Sequence, residues 1–383
     1  QTPMGGSADA HLPHAFRTGI PALDALPTST WARLVARRWR DPTPALLTYG
    51  DTAGYWPLRQ AIATYVGAAR GVHCTVDQVL ITAGSQHALD LIAQVLLDPG
   101  VPVWVEDPGY RGARAALVGV GATLVPVPLD QEGLSVAVGV KVCADARMAY
   151  VTPSHQYPTG VTMSAARRLA LIEWAQGANA WILEDDYDSE YRYHGRPLAA
   201  LQGLDAQGTQ NRVLYTGTFS KVLFPGLRLG YLVTPPSLTT AFTQALQLAH
   251  RHLSVFDQAV LTDFINEGHF ARHIRRMRTL YAKRQAVLVE TIRQELAAYL
   301  TVGPAPAGLH LVCWLKSGLD DQRVAEAASA QGLEVAAISS YSLLPTARPG
   351  LVLGYAMLNE AEIVSGIHEL KRVMVGLRAN LSS

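Results

Sequence analysis

The sequence predicts an α/β fold in which a mostly parallel, doubly wound sheet forms a large domain and is followed by a smaller α+β domain. Between residues 46 and 235, short apolar runs rich in Val, Ile and Tyr alternate with stretches at helical spacing. Most positions in each run are apolar, which is typical of strands buried on both faces of a parallel sheet. After residue 236 the chain is mostly helical up to about residue 299, and the remainder mixes strand-like runs with helices.

The predicted elements follow in order along the chain. Residues 1–45 are irregular and rich in proline, with one helical stretch at 31–39. Ser164 is predicted to cap a helix over 164–175, because Leu169, Ile172 and Ala175 follow at helical spacing. Strands are predicted at 79–82, 101–105, 123–127, 148–151, 181–183, 213–215, 229–233, 309–314 and 351–354, and further helices at 85–97, 321–331 and 360–377. We predict that residues 1–48 form an N-terminal arm contributing to the small domain, 49–285 the large domain, and 286–383 the small C-terminal domain.

Composition excludes several classes of protein. Of the 383 residues, 49% are apolar, enough for a large core. The 32 basic and 31 acidic residues give a net charge of +1, so this chain is not expected to bind a nucleic acid by itself. No apolar run is long enough to cross a membrane. The three cysteines, Cys74, Cys143 and Cys313, are far apart and form no CxxC motif, so we expect neither a disulfide framework nor a metal site, and a cytoplasmic location.

Polar side chains follow several predicted strands, and ligands of open α/β sheets bind at the carboxyl ends of the strands. Ser85 and Gln86 follow the first strand in a small-residue turn that opens a helix, which suits a phosphate. Tyr110 follows a Pro-Gly turn after the second strand and could stack on a planar ligand. His155 lies in a proline-rich loop after the fourth strand and is expected to be structural.

The strands near residues 181 and 213 are followed by charged groups. Five acids occur within residues 184–190, and the first of them leave the buried strand near the interior, where a carboxylate needs a partner. Lys221 ends a run of small hydroxyl residues, and Arg228 follows among apolar neighbours. Lysine forms Schiff bases, a carboxylate can keep a pyridine nitrogen protonated, and arginine and hydroxyls neutralise phosphate. Together these groups favour pyridoxal phosphate as a cofactor. Nucleotide cofactors are disfavoured, because Gly119 and Gly121 lack the third glycine of GxGxxG and no P-loop occurs.

At these positions the chain closely resembles the MocR-type transcriptional regulators, a branch of the GntR superfamily. The resemblance rests on Thr-Pro-Ser-His-Gln-Tyr-Pro-Thr-Gly at 152–160, Glu-Asp-Asp-Tyr-Asp-Ser-Glu-Tyr-Arg-Tyr at 184–193, Gly-Thr-Phe-Ser-Lys at 217–221, Leu-Arg-Leu-Gly-Tyr at 227–231, and Tyr-Gly-Asp-Thr-Ala-Gly-Tyr-Trp-Pro-Leu-Arg at 49–59. It extends from about Phe16 to the end of the chain. The effector domain of these regulators looks like an aminotransferase of the pyridoxal-phosphate-dependent transferase fold type I, and the resemblance implies that fold here.

The resemblance also implies a role for each matching residue. Lys221 would bind the cofactor as a Schiff base, and Asp185 would pair with the pyridine nitrogen, with Asp186 as the second candidate. Tyr187 would hydrogen-bond the phenolic oxygen of the cofactor, and Tyr110 would stack on the ring. The phosphate would be held by Ser85, Gln86, Thr218 and Arg228, and by Tyr49 from the neighbouring subunit of a homodimer.

The chain departs from the aminotransferases at two positions. Tyr157 stands where they usually have asparagine, a substitution common in the regulator group. Val352 stands where the small domain normally supplies an arginine for the substrate carboxylate, and valine cannot make that bidentate bond. Arg111, Arg114 and Arg348 are candidates to replace it.

Two functions from different classes are compatible with this sequence. We find no winged helix-turn-helix or linker, which the regulators carry before this domain, so we expect an effector domain without its DNA reader. It would sense a small amine, an amino acid or pyridoxal phosphate itself. The alternative is a free-standing aminotransferase acting on an amino acid, which the intact Lys221, Asp185 and Tyr187 favour and Val352 opposes. A fold without a cofactor is disfavoured by the same charged residues.

Overall fold

The computed structural model describes residues 15–193, 195, 198–205, 211–316, 318–345 and 348–379. Within this part of the chain the strands are β1 (Val79–Thr82), β2 (Pro102–Asp107), β3 (Thr123–Asp130), β4 (Gly133–Leu134), β5 (Met148–Val151), β6 (Trp181–Asp186), β7 (Val213–Thr218), β8 (Gly230–Val233), β9 (Leu300–Val302), β10 (His310–Leu315), β11 (Ala336–Ala337) and β12 (Gly350–Gly354). Short 3-10 helices lie at Leu23–Ala25, Val76–Gln78, Pro225–Leu227 and Ile338–Tyr341.

The α-helices connect and cover these strands. The described helices are α1 (Thr28–Arg40), α2 (Pro44–Leu47), α3 (Trp56–Arg70), α4 (Ser85–Leu96), α5 (Arg111–Gly119), α6 (Val136–Cys143), α7 (Ala165–Gly177), α8 (Leu201–Asp205), α9 (Thr239–His250), α10 (Val255–Asn266), α11 (His269–Glu295), α12 (Asp321–Ser329) and α13 (Glu360–Ala379). Ser164 caps α7 as predicted, since its side chain accepts a hydrogen bond from the Arg167 amide. No helix among the described residues is long and apolar enough to cross a membrane.

The large sheet has eight strands in the order β1-β8-β7-β6-β5-β2-β3-β4. Strands β7, β6, β5, β2 and β3 are parallel to their neighbours in this series, whereas β8 runs antiparallel to both β1 and β7. The prediction of a mostly parallel α/β fold is therefore confirmed. Because β8 runs in the opposite direction, the start of β8 lies beside the end of β7, with Gly230 opposite Thr218. This direction brings Arg228, just before β8, to the sheet edge where the parallel strands end.

The second sheet is fully antiparallel, in the order β11-β12-β10-β9. Its core includes Phe16, Ala22 and Ala25 of the N-terminal segment, whereas Leu34 of α1 belongs to a core cluster of the large sheet. Helix α11 contributes to both cores, since its first turns pack with the large sheet and its later turns with the small one. The predicted domain limits at 48/49 and 285/286 remain our proposal, with the second one lying inside α11.

Several strands extend beyond their predicted ends into polar sequence. Strand β2 includes Glu106 and Asp107, β6 includes Glu184, Asp185 and Asp186, and β7 continues to Thr218. The sequence analysis predicted that each of these strands ends just before its first polar residue. These side chains are nevertheless buried, because hydrogen bonds from neighbouring elements compensate for the water they lose.

Candidate functional site

A cavity of about 210 Å³ lies at the carboxyl ends of the parallel strands. Five residues predicted for the site line it: Lys221, Asp185, Tyr187, Tyr110 and Ser85. The other lining residues are Thr18, Gly19, Tyr150, Thr152, Tyr157, Leu309 and His310. The cavity therefore combines a primary amine, a carboxyl group and several tyrosines, with residues contributed by the N-terminal segment and the start of the small sheet.

Lys221 is held by the N-terminal segment. Its Nζ donates a hydrogen bond to the carbonyl oxygen of Gly19 at 2.9 Å. Burial lowers the pKa of Lys221, and the charges of Asp188 and Asp185 partly oppose that decrease. A lowered pKa increases the neutral fraction of an amine, which is the form that attacks a carbonyl. The sequence reasoning missed Thr18 and Gly19, because no motif marks a backbone carbonyl as a ligand.

The adjacent carboxylates Asp185 and Asp186 have different surroundings. Asp185 accepts a hydrogen bond from the Tyr150 hydroxyl at 2.9 Å through Oδ2, while its buried Oδ1 has no partner in the described structure. Burial raises the pKa of Asp185 to about 7. Asp186 instead accepts from Arg70 Nε at 2.7 Å and from the Tyr215 hydroxyl at 2.6 Å. Asp186 Oδ1 is also unpaired in the described structure, but Asp186 does not line the cavity. Of these two carboxylates, only Asp185 therefore presents an unpaired oxygen there, as expected of a group that binds a protonated ring nitrogen.

Aromatic rings enclose the cavity. Tyr157 meets Tyr110 edge to face at a centroid distance of 5.7 Å and Tyr187 at 5.9 Å. The Tyr157 hydroxyl lies 3.0 Å from that of Tyr341 and 3.3 Å from Thr18 Oγ1. Tyr157 was noted from the sequence only as a departure from a motif. Tyr150 was missed because a strand that is apolar at most positions does not show which side chains face a ligand.

The turn before α4 has the features of a phosphate site. Gly84 has a φ of +88°, a conformation that residues with a side chain rarely adopt, and the Arg228 guanidinium lies beside it. Ser85 begins α4, whose first amides are free to bind an anion. Arg228 is exposed and donates to the Ala83 carbonyl at 2.8 Å. The guanidinium and the helix N-terminus are thus placed together.

Three residues predicted for the phosphate lie outside the residues that line the cavity: Gln86, Thr218 and Arg228. Gln86 donates to the Gly112 carbonyl, and Thr218 Oγ1 accepts from the Ser220 amide. Tyr49, predicted to act on the neighbouring subunit, is 78% exposed and lies edge to face with His252, away from the cavity of its own chain.

No arginine lines the cavity in the part of the chain that the structure describes. Val352 is fully buried in β12, opposite Val312 and Ala336. Arg114 is already bound to Asp107 at 3.0 Å. Arg348 lies over the Trp314 ring and lines a separate, open groove of about 890 Å³, and Arg111 is exposed on α5.

A buried polar cluster lies directly behind Tyr187. His155 Nδ1 is 3.0 Å from the Tyr187 hydroxyl and 3.0 and 3.1 Å from the two oxygens of Asp188. His310 lies next to it, with Nε2 3.0 Å from the Pro158 carbonyl, and burial lowers its pKa to about 3. The ligand atoms of the two histidines and Asp188 lie within 4.8 Å of one another, and hydrogen bonds account for their burial.

Comparisons with known proteins agree with this geometry. The sequence profile of the family described as aminotransferase class I and II matches residues 18–370. The chain is 42% identical over 366 residues to a probable rhizopine catabolism regulatory protein MocR of Rhizobium meliloti, covering 96% of this chain and 73% of that protein. It is 30% identical over 367 residues to a 2-aminoadipate transaminase of Thermus thermophilus, and the match covers 95% of this chain and 91% of that protein.

Solved structures of aminotransferases are also similar to this chain. A crystal structure of α-aminoadipate aminotransferase from Thermus thermophilus, complexed with N-(5'-phosphopyridoxyl)-L-leucine, superposes with a TM-score of 0.87 at 30% identity, covering 95% of this chain and 92% of that one. The unpaired Asp185 oxygen, the Lys221 amine and the turn at Ser85 fit pyridoxal phosphate. The cofactor predicted from the sequence is therefore confirmed.

Proposed function

The chain belongs to the aminotransferase class I and II family, in the group that includes MocR-type regulators, and we propose that it is the pyridoxal-phosphate-binding, ligand-sensing domain of a transcriptional regulator. Its ligand would be an amine, an amino acid or the cofactor itself. The proposal depends on one observation. The cavity keeps the lysine and the carboxylate that the cofactor needs, but no guanidinium for a substrate carboxylate lines it in the described structure.

Different residues in and around the cavity bind different parts of the cofactor in this proposal. When bound, pyridoxal phosphate supplies an aldehyde that condenses with amines and a ring that withdraws electrons. In our proposal Lys221 holds it covalently, Asp185 Oδ1 accepts a hydrogen bond from its ring nitrogen, and Tyr187 binds its phenolic oxygen. Tyr110 packs on the ring. The phosphate is held by Ser85, Gln86, Thr218 and Arg228.

The hydrogen bond from Lys221 to Gly19 suggests how occupancy could be transmitted. Gly19 belongs to the segment that also places Phe16 and Ala22 in the core of the small sheet. A ligand that engages the Lys221 amine competes for this hydrogen bond, so occupied and empty forms hold the segment differently. Sensing requires only such a difference in affinity between two conformations.

The second candidate function is transamination of an amino acid. It is favoured by the 30% identity to a 2-aminoadipate transaminase, of which the match covers 91%. In that case Lys221, once free, would move a proton between two carbon atoms as a general acid–base. The lining of the cavity opposes this function, because no arginine among the described residues lines it to bind a substrate carboxylate.

Visible absorption spectroscopy separates these two functions. The purified chain is loaded with pyridoxal phosphate, titrated with a panel of amines and amino acids, and then given a 2-oxo acid. For a sensor we expect a yellow species whose spectrum shifts with one ligand and then persists. Conversion to the amine form of the cofactor, reversed by the oxo acid, would establish the aminotransferase. The absence of any yellow species would overturn both.

The proposal includes a homodimer in which Tyr49 reaches the phosphate of the neighbouring subunit, and DNA binding only through a separate helix-turn-helix domain. The exposure of the Tyr49 ring supports the first part. Tyr49→Phe should weaken cofactor binding while sedimentation velocity still reports a dimer. Trp39→Phe, a change at an exposed ring of α1, is the matched control and should leave cofactor affinity unchanged.

A further inference from the structure

Asp188 is a buried carboxylate that accepts its hydrogen bonds from a single side chain in the described structure, that of His155. It is 1% exposed, and both of its oxygens lie within hydrogen-bond distance of His155 Nδ1, whose side chain is 2% exposed. No other donor to this carboxylate occurs in the described part of the chain. A buried carboxylate without a donated hydrogen is costly, so Nδ1 of His155 must carry its hydrogen.

This protonation state determines what the Tyr187 hydroxyl can do. Its oxygen lies 3.0 Å from the same His155 Nδ1, and no other hydrogen-bond partner of the hydroxyl occurs among the described residues. Since Nδ1 carries a hydrogen, the Tyr187 hydroxyl cannot donate to it, and the tyrosine oxygen at most shares with Asp188 the one hydrogen that Nδ1 donates. The hydroxyl hydrogen of Tyr187 is then free to be donated into the cavity that Tyr187 lines. With a bare Nδ1 the tyrosine would donate to the histidine, and only a lone pair would face the cavity.

The histidine ring is held in place on its other side. A Cβ on Gly308 would lie 2.0 Å from His155 Cε1, which means that the backbone at Gly308 packs directly against the ring. Gly308 has a φ of +91°, which other residues rarely adopt. A glycine at this position therefore allows the backbone to lie against the His155 ring. The ring cannot turn toward Gly308, and Nδ1 stays directed at Asp188 and Tyr187.

We propose that Asp188 and His155 form a positioning pair that fixes the Tyr187 hydroxyl as a hydrogen-bond donor to the phenolic oxygen of the bound cofactor. This inference rests on the proposed function, since it requires the cofactor in this cavity. Neither His155 nor Asp188 lines the cavity, so both act through Tyr187, which does. The five acids at 184–190 thus include one whose role is to set the direction of a single hydrogen bond.

The proposal predicts a change in the spectrum as a function of pH. Donation from Tyr187 stabilises the form of the cofactor that carries negative charge on its phenolic oxygen, and so lowers the pKa of the visible chromophore. The other titratable groups that interact with Tyr187 or the pair among the described residues are Asp185, Glu106, Tyr157, Tyr191, Tyr193, His310, Tyr355 and Lys221. All of them are retained in the variants below.

The direct test is Asp188→Asn. Its amide can donate to His155 Nδ1, which favours a bare Nδ1 and makes Tyr187 donate to the histidine. We expect the pKa of the chromophore to rise by about one pH unit, a tenfold change in proton affinity. Tyr187→Phe should give a similar rise, and adding Asp188→Asn to it should change nothing more, because both act on one hydrogen bond. Independent, additive shifts would overturn the proposal.

Asp321→Asn is the matched control. Asp321 is also buried, but it accepts from Ser339 and the Gly350 amide in the small domain. This variant should reproduce any general effect of a buried asparagine without moving the chromophore pKa. An equal shift in both variants would show that loss of packing, and not the direction of the Tyr187 hydrogen bond, moves the spectrum, and would overturn the proposal.

Nitrogen NMR tests the same inference without Asp188→Asn. In the histidine-labelled wild-type protein, with His155 assigned by comparison with His155→Gln, Nδ1 should have the chemical shift of a protonated nitrogen. A bare Nδ1 would refute the positioning role. Failure of the proposed function looks different: the wild-type chain would then show no visible chromophore, whatever the state of His155.

Discussion

Replacing Asp185 with asparagine should stabilise the cofactor-free protein and weaken its hold on pyridoxal phosphate. Asp185 is 5% exposed, and burial raises its pKa from the usual 3.8 to about 7. Between those two values the folded protein binds more protons at this site than the unfolded chain does. Its contribution to stability is therefore lost as the pH rises through this window.

The size of the effect follows from the two pKa values. A difference of about three pH units corresponds to about 4 kcal/mol of cost when the carboxyl is ionised. Asparagine avoids this cost and can still accept the Tyr150 hydrogen bond, but its amide hydrogens replace the unpaired Oδ1 and cost about 1–3 kcal/mol. Near pH 8 the variant should thus be more stable by about 1–3 kcal/mol.

The assay is urea unfolding of cofactor-free protein at several pH values between 5 and 8, with cofactor affinity measured separately. Asp185→Asn should gain stability relative to wild type as the pH rises, and bind the cofactor about 10- to 100-fold more weakly for the lost charged hydrogen bond. Asp186→Asn is the matched control on the next residue. It leaves the buried Arg70 without its carboxylate partner and should destabilise by about 3–5 kcal/mol. A stability difference for Asp185→Asn that is flat with pH, or a loss at pH 8, would refute the reasoning.

Three further substitutions test the site. Lys221→Ala should abolish the borohydride-reducible attachment of the cofactor seen by mass spectrometry, whereas Lys371→Ala on α13 should retain it; a surviving adduct would remove Lys221 from this role. Arg228→Ala should weaken cofactor binding by about 1.5–3 kcal/mol, the range for a charged hydrogen bond, and unchanged affinity in calorimetry would place the phosphate elsewhere. Val352→Arg should lower the free energy of unfolding by about 3–5 kcal/mol and yield no transaminase turnover, because Val352 is fully buried and does not line the cavity. New turnover with an unchanged melting temperature would contradict this.

Much of the fold could be predicted because buried parallel strands have a strong apolar signal. Strands β1 and β5 have their predicted bounds, and α4 differs by one residue at its end. The two-residue strands β4 and β11 were missed, since so short a run has no periodicity to detect. The site was predictable where a motif follows a strand, as for Lys221. The backbone carbonyl of Gly19 and the partners of His155 were not, because tertiary contacts alone bring them there.

The acidic run at 184–190 shows why a sequence pattern can identify a site without assigning its members. Successive residues of a strand point to opposite faces, so neighbouring acids on β6 meet different surroundings. Glu184 accepts from the Leu201 and Gln202 amides, Asp186 pairs with Arg70, and Glu190 accepts from Tyr65. Asp188 binds His155, which leaves Asp185 as the member of the run that lines the cavity with an unpaired oxygen.

Burying so many carboxyl groups is costly, and at the other four positions a donor from the protein offsets that cost. At Asp185 the Tyr150 hydroxyl serves only Oδ2, so the unpaired Oδ1 of this cavity-lining residue is left for a ligand that carries a hydrogen or a positive charge, and a protonated pyridine ring meets that requirement.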